Sequence, residues 1–305
     1  MENIQSLSIC CPSATGKCIN HCKTCTARQR TNPYKNKFHS SHTDCMEYWN
    51  DVIKRMQDAQ DKGCTTVMLT GSNEPQQDRR WLEGLYLAMK SLKKPFNNIE
   101  IQTTGAFLDK DYLRFLKDFG VTTIAVSTFN IFDDKINIEV EGNADKNLKI
   151  EELCENIYEL GMNIRMCINV TDYVHENLDA YRTNEGVIVK ILDRCAKLHA
   201  NQVTFRKMWA NNAINVTCPE VQWIYANTKF SDLLLEALDT DVKHYGTLLG
   251  TLPYGAARYD YLGFSIVIDT DSMAKDVDNS STKYYIIREN GKMYSSWDSE
   301  ASLVF

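Results

Sequence analysis

The 305-residue sequence has no apolar run long enough to cross a bilayer and no stripe of basic residues that would track a phosphate backbone. Its 34 basic side chains are scattered among 40 acidic ones, giving a net charge of −6, so duplex nucleic acid is not an expected partner. Residues 1–13 carry acidic and polar groups where a secretory signal needs a basic end and a long apolar core. A soluble, cytoplasmic protein with no membrane association is therefore expected. Proline is scarce, at 6 residues, and no segment is low in complexity, so an ordered chain is expected throughout.

Cysteine, by contrast, is abundant. Eleven cysteines are an odd number, and a reducing compartment does not favour a disulfide framework, so metal binding becomes the leading question. Cys10, Cys11, Cys45, Cys64, Cys154, Cys167, Cys195 and Cys218 stand outside any tight ligand spacing and read as small hydrophobes or bystander thiols. The remaining three form Cys18-Ile-Asn-His-Cys22-Lys-Thr-Cys25, a C-x3-C-x2-C run.

Short β-rich runs alternate with longer amphipathic ones, the pattern of repeated βα units around a parallel sheet. Strands are expected at Ile4–Cys11, Thr65–Thr70, Ile99–Thr103, Thr122–Thr128, Asn163–Val170 and Gln202–Lys207. Helices are expected at Thr43–Lys62, Gln77–Lys93, Lys110–Phe119, Ile150–Leu160 and Gly186–His199, with Gly63, Gly120 and Gly161 as left-handed stops. After about residue 215 the texture changes. Val221–Val242 reads as one helix, Phe264–Asp269 as a strand, and Lys283–Arg288 with Lys292–Trp297 as a hairpin turning at Asn290-Gly291, so a helix and a small antiparallel sheet are expected there.

The three-cysteine run lies in a loop directly after the first expected strand. A short loop can wrap three thiolates round one face of a cuboidal cluster and leave the fourth iron open to a small molecule. The alternative from spacing alone is a structural zinc site, non-catalytic, with His21, His39 or His42 as fourth ligand.

These residues resemble the radical S-adenosylmethionine (SAM) superfamily, whose hallmark is this loop after the first barrel strand; the resemblance spans roughly residues 4–210. Leu69-Thr70-Gly71-Ser72-Asn73-Glu74-Pro75 is similar to the family's glycine-rich stretch ending in Glu, which offers carbonyls and a carboxylate to the methionyl amine. Ala125-Val126-Ser127-Thr128 resembles its fourth strand, where a Ser contacts SAM. Cys167-Ile168-Asn169-Val170, with Asn177 beyond, is similar to the fifth strand of the branch containing the molybdenum-cofactor enzyme that cyclises GTP, where an Asn meets SAM. Phe205-Arg206-Lys207-Met208 looks like the sixth. Two departures stand out: Thr24 occupies a position usually aromatic, and the C-terminal part, with only Cys218, lacks the ligands of that enzyme's second cluster.

The resemblance implies an α/β fold, a partial (β/α)6 TIM-like barrel over residues 1–215, with a small C-terminal α+β extension over 216–305 as a possible substrate cap. It implies a [4Fe-4S] cluster on Cys18, Cys22 and Cys25. SAM would be bound by Gly71, Ser72, Asn73, Glu74, Ser127 and Asn169. The expected activity is reductive cleavage of SAM to a 5′-deoxyadenosyl radical that abstracts hydrogen from a small molecule or nucleotide, or alternatively from a peptide or protein, with flavodoxin or ferredoxin as electron donor. Tyr245, Tyr254, Arg258, Tyr259, Tyr261, Tyr284, Tyr285 and Tyr294 form an aromatic-rich region that would reach the substrate.

Overall fold

The computed structural model describes residues 3–30, 40–174, 187–211, 217–251, 256–270, 276–278, 281–297 and 299–305. His39, Asn177 and Tyr254, named above, lie outside them. The six expected strands are all present: β1 (Asn3–Cys10), β2 (Thr66–Thr70), β3 (Asn98–Thr103), β4 (Thr123–Thr128), β5 (Asn163–Val170) and β6 (Gln202–Lys207), paired in parallel in that order. The matching helices are α1 (Met46–Asp61), α2 (Arg79–Lys90), α3 (Lys110–Phe119), α5 (Ile150–Glu159) and α6 (Val187–Lys197). Gly63, Gly120 and Gly161 have positive φ, as their helix-stop role requires.

Strand alternation decides which side is core. Val67, Leu69, Ile101, Ile124, Val126 and Met166 are buried in the main apolar cluster with Leu82, Leu85, Leu113 and Leu116 of the helices. The intervening residues Thr70, Gln102, Ser127 and Arg165 turn the other way and line an interior cavity. Fully covered parallel strands are usually apolar on both faces. Alternation in these strands therefore marks an inner face left open for a polar occupant.

One helix between β4 and β5 was not expected: α4, Asp134–Glu141. Ile136, Ile138 and Val140 alternate with polar residues, which reads as a strand, while the side chain that fixes the helix is polar. Asn137 Oδ1 accepts from Thr128 Oγ1 (3.0 Å), Phe129 N (2.8 Å) and Asn130 N (2.9 Å), and its Nδ2 donates to Asn130 O (2.6 Å).

The C-terminal part differs from expectation in two ways. The helix expected over Val221–Val242 is two, α7 (Pro219–Ala226) and α8 (Ser231–Tyr245), because the Asp172 carboxylate accepts from Lys229 N and Phe230 N at the break. The strands do not build a separate sheet either. β9 (Phe264–Asp269) pairs parallel to β6, and β11 (Ser281–Ile287) pairs parallel to β1 on the opposite edge. The antiparallel partners β7 (Thr247–Thr251), β8 (Ala257–Tyr261), β10 (Asp276–Asp278) and β12 (Met293–Tyr294) lie beyond them. Two strands distant in sequence thus widen the six-stranded parallel wall from both ends. The chain turns at Asn290-Gly291 as expected, but only Gly291 (φ 75°) and not Asn290 takes the positive φ expected of the Asn-Gly pair.

Candidate functional site

The cavity has a volume of about 670 Å³ and lies inside the curved sheet. Cys18, Cys22 and Cys25 line it, together with Gly71, Ser72, Asn73, Glu74, Ser127 and Asn169. The nine residues read from the sequence as cluster or SAM candidates thus line one space. The three cysteines are half-buried free thiols. Of the other eight, seven are buried and Cys45 is exposed, as the bystander reading expects.

The loop that carries the three cysteines is fixed from outside. His21 N donates to the carbonyls of Glu141 and Gly142, each at 3.2 Å, and Lys23 N donates to Val140 O at 2.8 Å. Gly142 permits this approach. Its φ is 54°, and a Cβ there would lie 2.8 Å from the His21 carbonyl oxygen. From below, Asn20 Nδ2 donates to Glu74 Oε1 (3.0 Å) and Thr104 Oγ1 (2.8 Å), while Asn20 Oδ1 accepts from Ala144 N (3.0 Å). Downstream, Arg28 pairs with Glu220 of α7 at 3.2 Å, and Gln29 is held by Asn211 at both ends of its amide and carbonyl.

Glu74 is the hub beneath the loop. It is 7% exposed, and besides Asn20 it accepts from Thr104 N (3.1 Å), Thr103 Oγ1 (2.7 Å) and Gln76 Nε2 (2.9 Å). Four donors fill the roughly four acceptor positions of a carboxylate. Burial raises its pKa, and these hydrogen bonds oppose the rise. The expectation that this carboxylate meets an ammonium group meets a competitor here, because its oxygens are already engaged by the protein.

Across the cavity, Asn169 Nδ2 donates to Ser127 Oγ at 2.9 Å, joining the ends of β5 and β4. Deeper in, Arg165 pairs with Glu100 at 2.6 Å and its Nε donates to Gln202 Oε1 at 3.0 Å. Arg206 pairs with Asp269 of β9 at 3.5 Å, a contact set by their parallel register. Of the aromatic-rich C-terminal group, Tyr284 and Arg258 line the cavity. Tyr261, Tyr285 and Tyr294 are buried in the core, and Tyr245 is exposed.

Sequence reasoning missed Asn20, whose signal is its place between the first two cysteines, and Glu141. The latter is 1% exposed, lines the cavity, and is pushed well above the ordinary carboxylate range by burial and next by the nearby Glu74 charge. Burial likewise raises Cys18 to about 11 and lifts Cys22 well above the ordinary thiol value, so thiolates here need a cationic partner. Among the described residues, no three His, Cys, Asp or Glu side chains converge as ligands of one ion, and His21 and His42 are exposed.

The chain matches the family described as the Radical SAM superfamily over residues 13–204. A curated relative, 5-amino-6-(D-ribitylamino)uracil–L-tyrosine 4-hydroxyphenyl transferase of Methanocaldococcus jannaschii, is 25% identical over 159 residues, covering 48% of this chain and 42% of the relative. The match thus spans under half the length of that protein. Among solved structures, SuiB of Streptococcus suis bound to S-adenosylmethionine is 14% identical with a TM-score of 0.56, over 96% of this chain and 60% of that one. Coproporphyrinogen III oxidase (HemN) of Escherichia coli, a radical SAM enzyme, is 12% identical with a TM-score of 0.51, over 80% and 53%. Both likenesses are of fold. No helix among the described residues is long and apolar enough to cross a membrane.

Proposed function

The chain belongs to the radical SAM superfamily, and from that premise we propose that it is an enzyme that binds a [4Fe-4S] cluster on Cys18, Cys22 and Cys25 and SAM in the adjoining cavity. The observation that carries this reading is the convergence of three free thiols, the Gly71–Glu74 loop and the Ser127–Asn169 pair on one cavity. The donor set fits: three soft thiol ligands, with no fourth protein ligand among the described residues, would leave one iron for a small chelating molecule. Unpaired acceptors fit as well, since the buried Asn73 Oδ1 and both Glu141 oxygens have no hydrogen-bond partner among the described residues.

When bound, the cluster supplies the electron that splits SAM into methionine and a 5′-deoxyadenosyl radical. The protein's own residues bind, orient and exclude water. Ser127 and Asn169, held against each other, present a hydroxyl and an amide oxygen to the SAM side of the cavity. Gly71 and Ser72 line the same cavity, and Phe129, Met208, Trp209 and Trp297 add apolar surface to its lining. A Cβ on Gly71 would fall 2.6 Å from Cys10 Sγ, so this loop keeps its course only with glycine.

The Arg165–Glu100 and Arg206–Asp269 pairs make the far wall polar, which favours a small hydrogen-bonding molecule or nucleotide as substrate. A peptide is the second reading, favoured by the likeness to SuiB bound to precursor peptide SuiA (TM-score 0.55). A low-potential donor such as flavodoxin or ferredoxin would supply the electron. Anaerobic reconstitution tests the cofactor reading: brown, iron- and sulfide-loaded protein supports it, and colourless, zinc-loaded protein refutes it.

A further inference from the structure

Four carboxylates line the cavity, and three have partners. Glu100 pairs with Arg165, Asp269 with Arg206, and Glu74 accepts from Asn20, Gln76, Thr103 and Thr104. Glu141 is different. It is 1% exposed, and neither of its oxygens has a hydrogen-bond partner among the described residues. Its neighbour Asn143, whose amide donates to Thr104 Oγ1 at 3.5 Å, lies close enough to favour its charged form, but it carries no charge of its own.

An unpaired buried carboxylate is costly, and this one stands at the last residue of α4, where the helix dipole favours cations over anions. Its position is nonetheless tightly held. The Glu141 and Gly142 carbonyls accept from His21 N, and Lys23 N donates to Val140 O, so the end of α4 is fastened to the cysteine loop itself. Lys23, the nearest basic residue along that loop, is committed to Glu139 at 2.8 Å. A carboxylate fixed beside the cysteines, lining the cavity and without a cationic partner among the described residues, is complementary to a cation that arrives with a ligand.

We propose that Glu141 is the acceptor for the α-ammonium group of SAM, and that Glu74 is a positioning residue that holds the cysteine loop. This rests on the SAM-binding reading above. It separates two tasks: the saturated carboxylate organises the loop, and the unsaturated one receives the ligand's charge, which the resemblance gave to the carbonyls and carboxylate of the Gly71–Glu74 stretch.

The test is equilibrium binding of SAM, and of a SAM analogue lacking the amino group, to anaerobically reconstituted wild type and Glu141→Gln, with iron content measured in each. The variant should hold wild-type iron yet bind SAM about ten-fold or more weakly, while its affinity for the deaminated analogue stays near that of wild type. In cluster-free protein, Glu141→Gln should melt at or above the wild-type temperature, because it replaces a buried acid with a neutral amide of nearly the same shape. Unchanged SAM affinity, equal losses for both ligands, or a lowered melting temperature would each overturn the assignment. Wild type that binds iron but neither ligand would overturn the SAM-binding reading, and this assignment with it.

Discussion

Asn20 Nδ2 lies 3.0 Å from Glu74 Oε1, and through this buried hydrogen bond the cysteine loop rests on the end of β2. Asn20 is 2% exposed and also reaches Thr104 and Ala144, so one side chain between the first two cysteines ties the loop to β2, β3 and the segment after α4. Hydrogen bonds to charged groups contribute about 1.5–3 kcal/mol each. Asn20→Ala is therefore predicted to lower stability by about 2 kcal/mol and to reduce iron retained after gel filtration, although no ligand atom is removed. Full iron retention and unchanged melting would show that the loop does not depend on this contact.

Gly142 fixes the same loop from the other side. Ala at this position suffers a left-handed backbone, about 1–2 kcal/mol, and places its Cβ 2.8 Å from the His21 carbonyl oxygen. Because that neighbour is backbone, the loop must shift. Gly142→Ala is predicted to lower the melting temperature by a few degrees and to speed loss of iron to a chelator. A chelation rate equal to wild type would contradict the docking role of α4.

Ser127 and Asn169 hold each other at the ends of β4 and β5. If they present polar groups to SAM, Asn169→Ala should weaken SAM binding about ten-fold or more while iron content and the visible spectrum persist. Isothermal titration of the reconstituted variant gives the answer. Wild-type affinity would remove the pair from the SAM site.

Arg258 of β8 is exposed at the cavity edge, remote in sequence from the cysteine loop. Arg258→Ala is predicted to leave uncoupled, substrate-free formation of 5′-deoxyadenosine unchanged, since the C-terminal strands are proposed to serve the substrate. Loss of that activity with the cluster intact would place β8 in the SAM site.

The parallel core was legible because its strands alternate apolar and polar residues and its helices end on glycines such as Gly120 and Gly161. The cysteine loop was legible because ligand spacing is local. What escaped was non-local or polar. α4 is held by Asn137, not by an apolar stripe, and Ile136, Ile138 and Val140 alternate like a strand. The break at Asn227–Phe230 depends on Asp172, more than fifty residues away. Parallel pairing of β9 with β6 and of β11 with β1 leaves no mark within either segment, because register is written jointly by both partners. Glu141 escaped for the same reason: its meaning comes from the loop it touches.

The central claim is tested most directly by incubating anaerobically reconstituted protein with SAM and a strong reductant and quantifying 5′-deoxyadenosine. Wild type and Cys45→Ala, whose thiol is exposed and outside the cavity, are predicted to form it. Cys18→Ala, Cys22→Ala and Cys25→Ala are predicted to form none. No 5′-deoxyadenosine from iron-loaded wild type, or equal amounts from the three cysteine variants, would contradict the account.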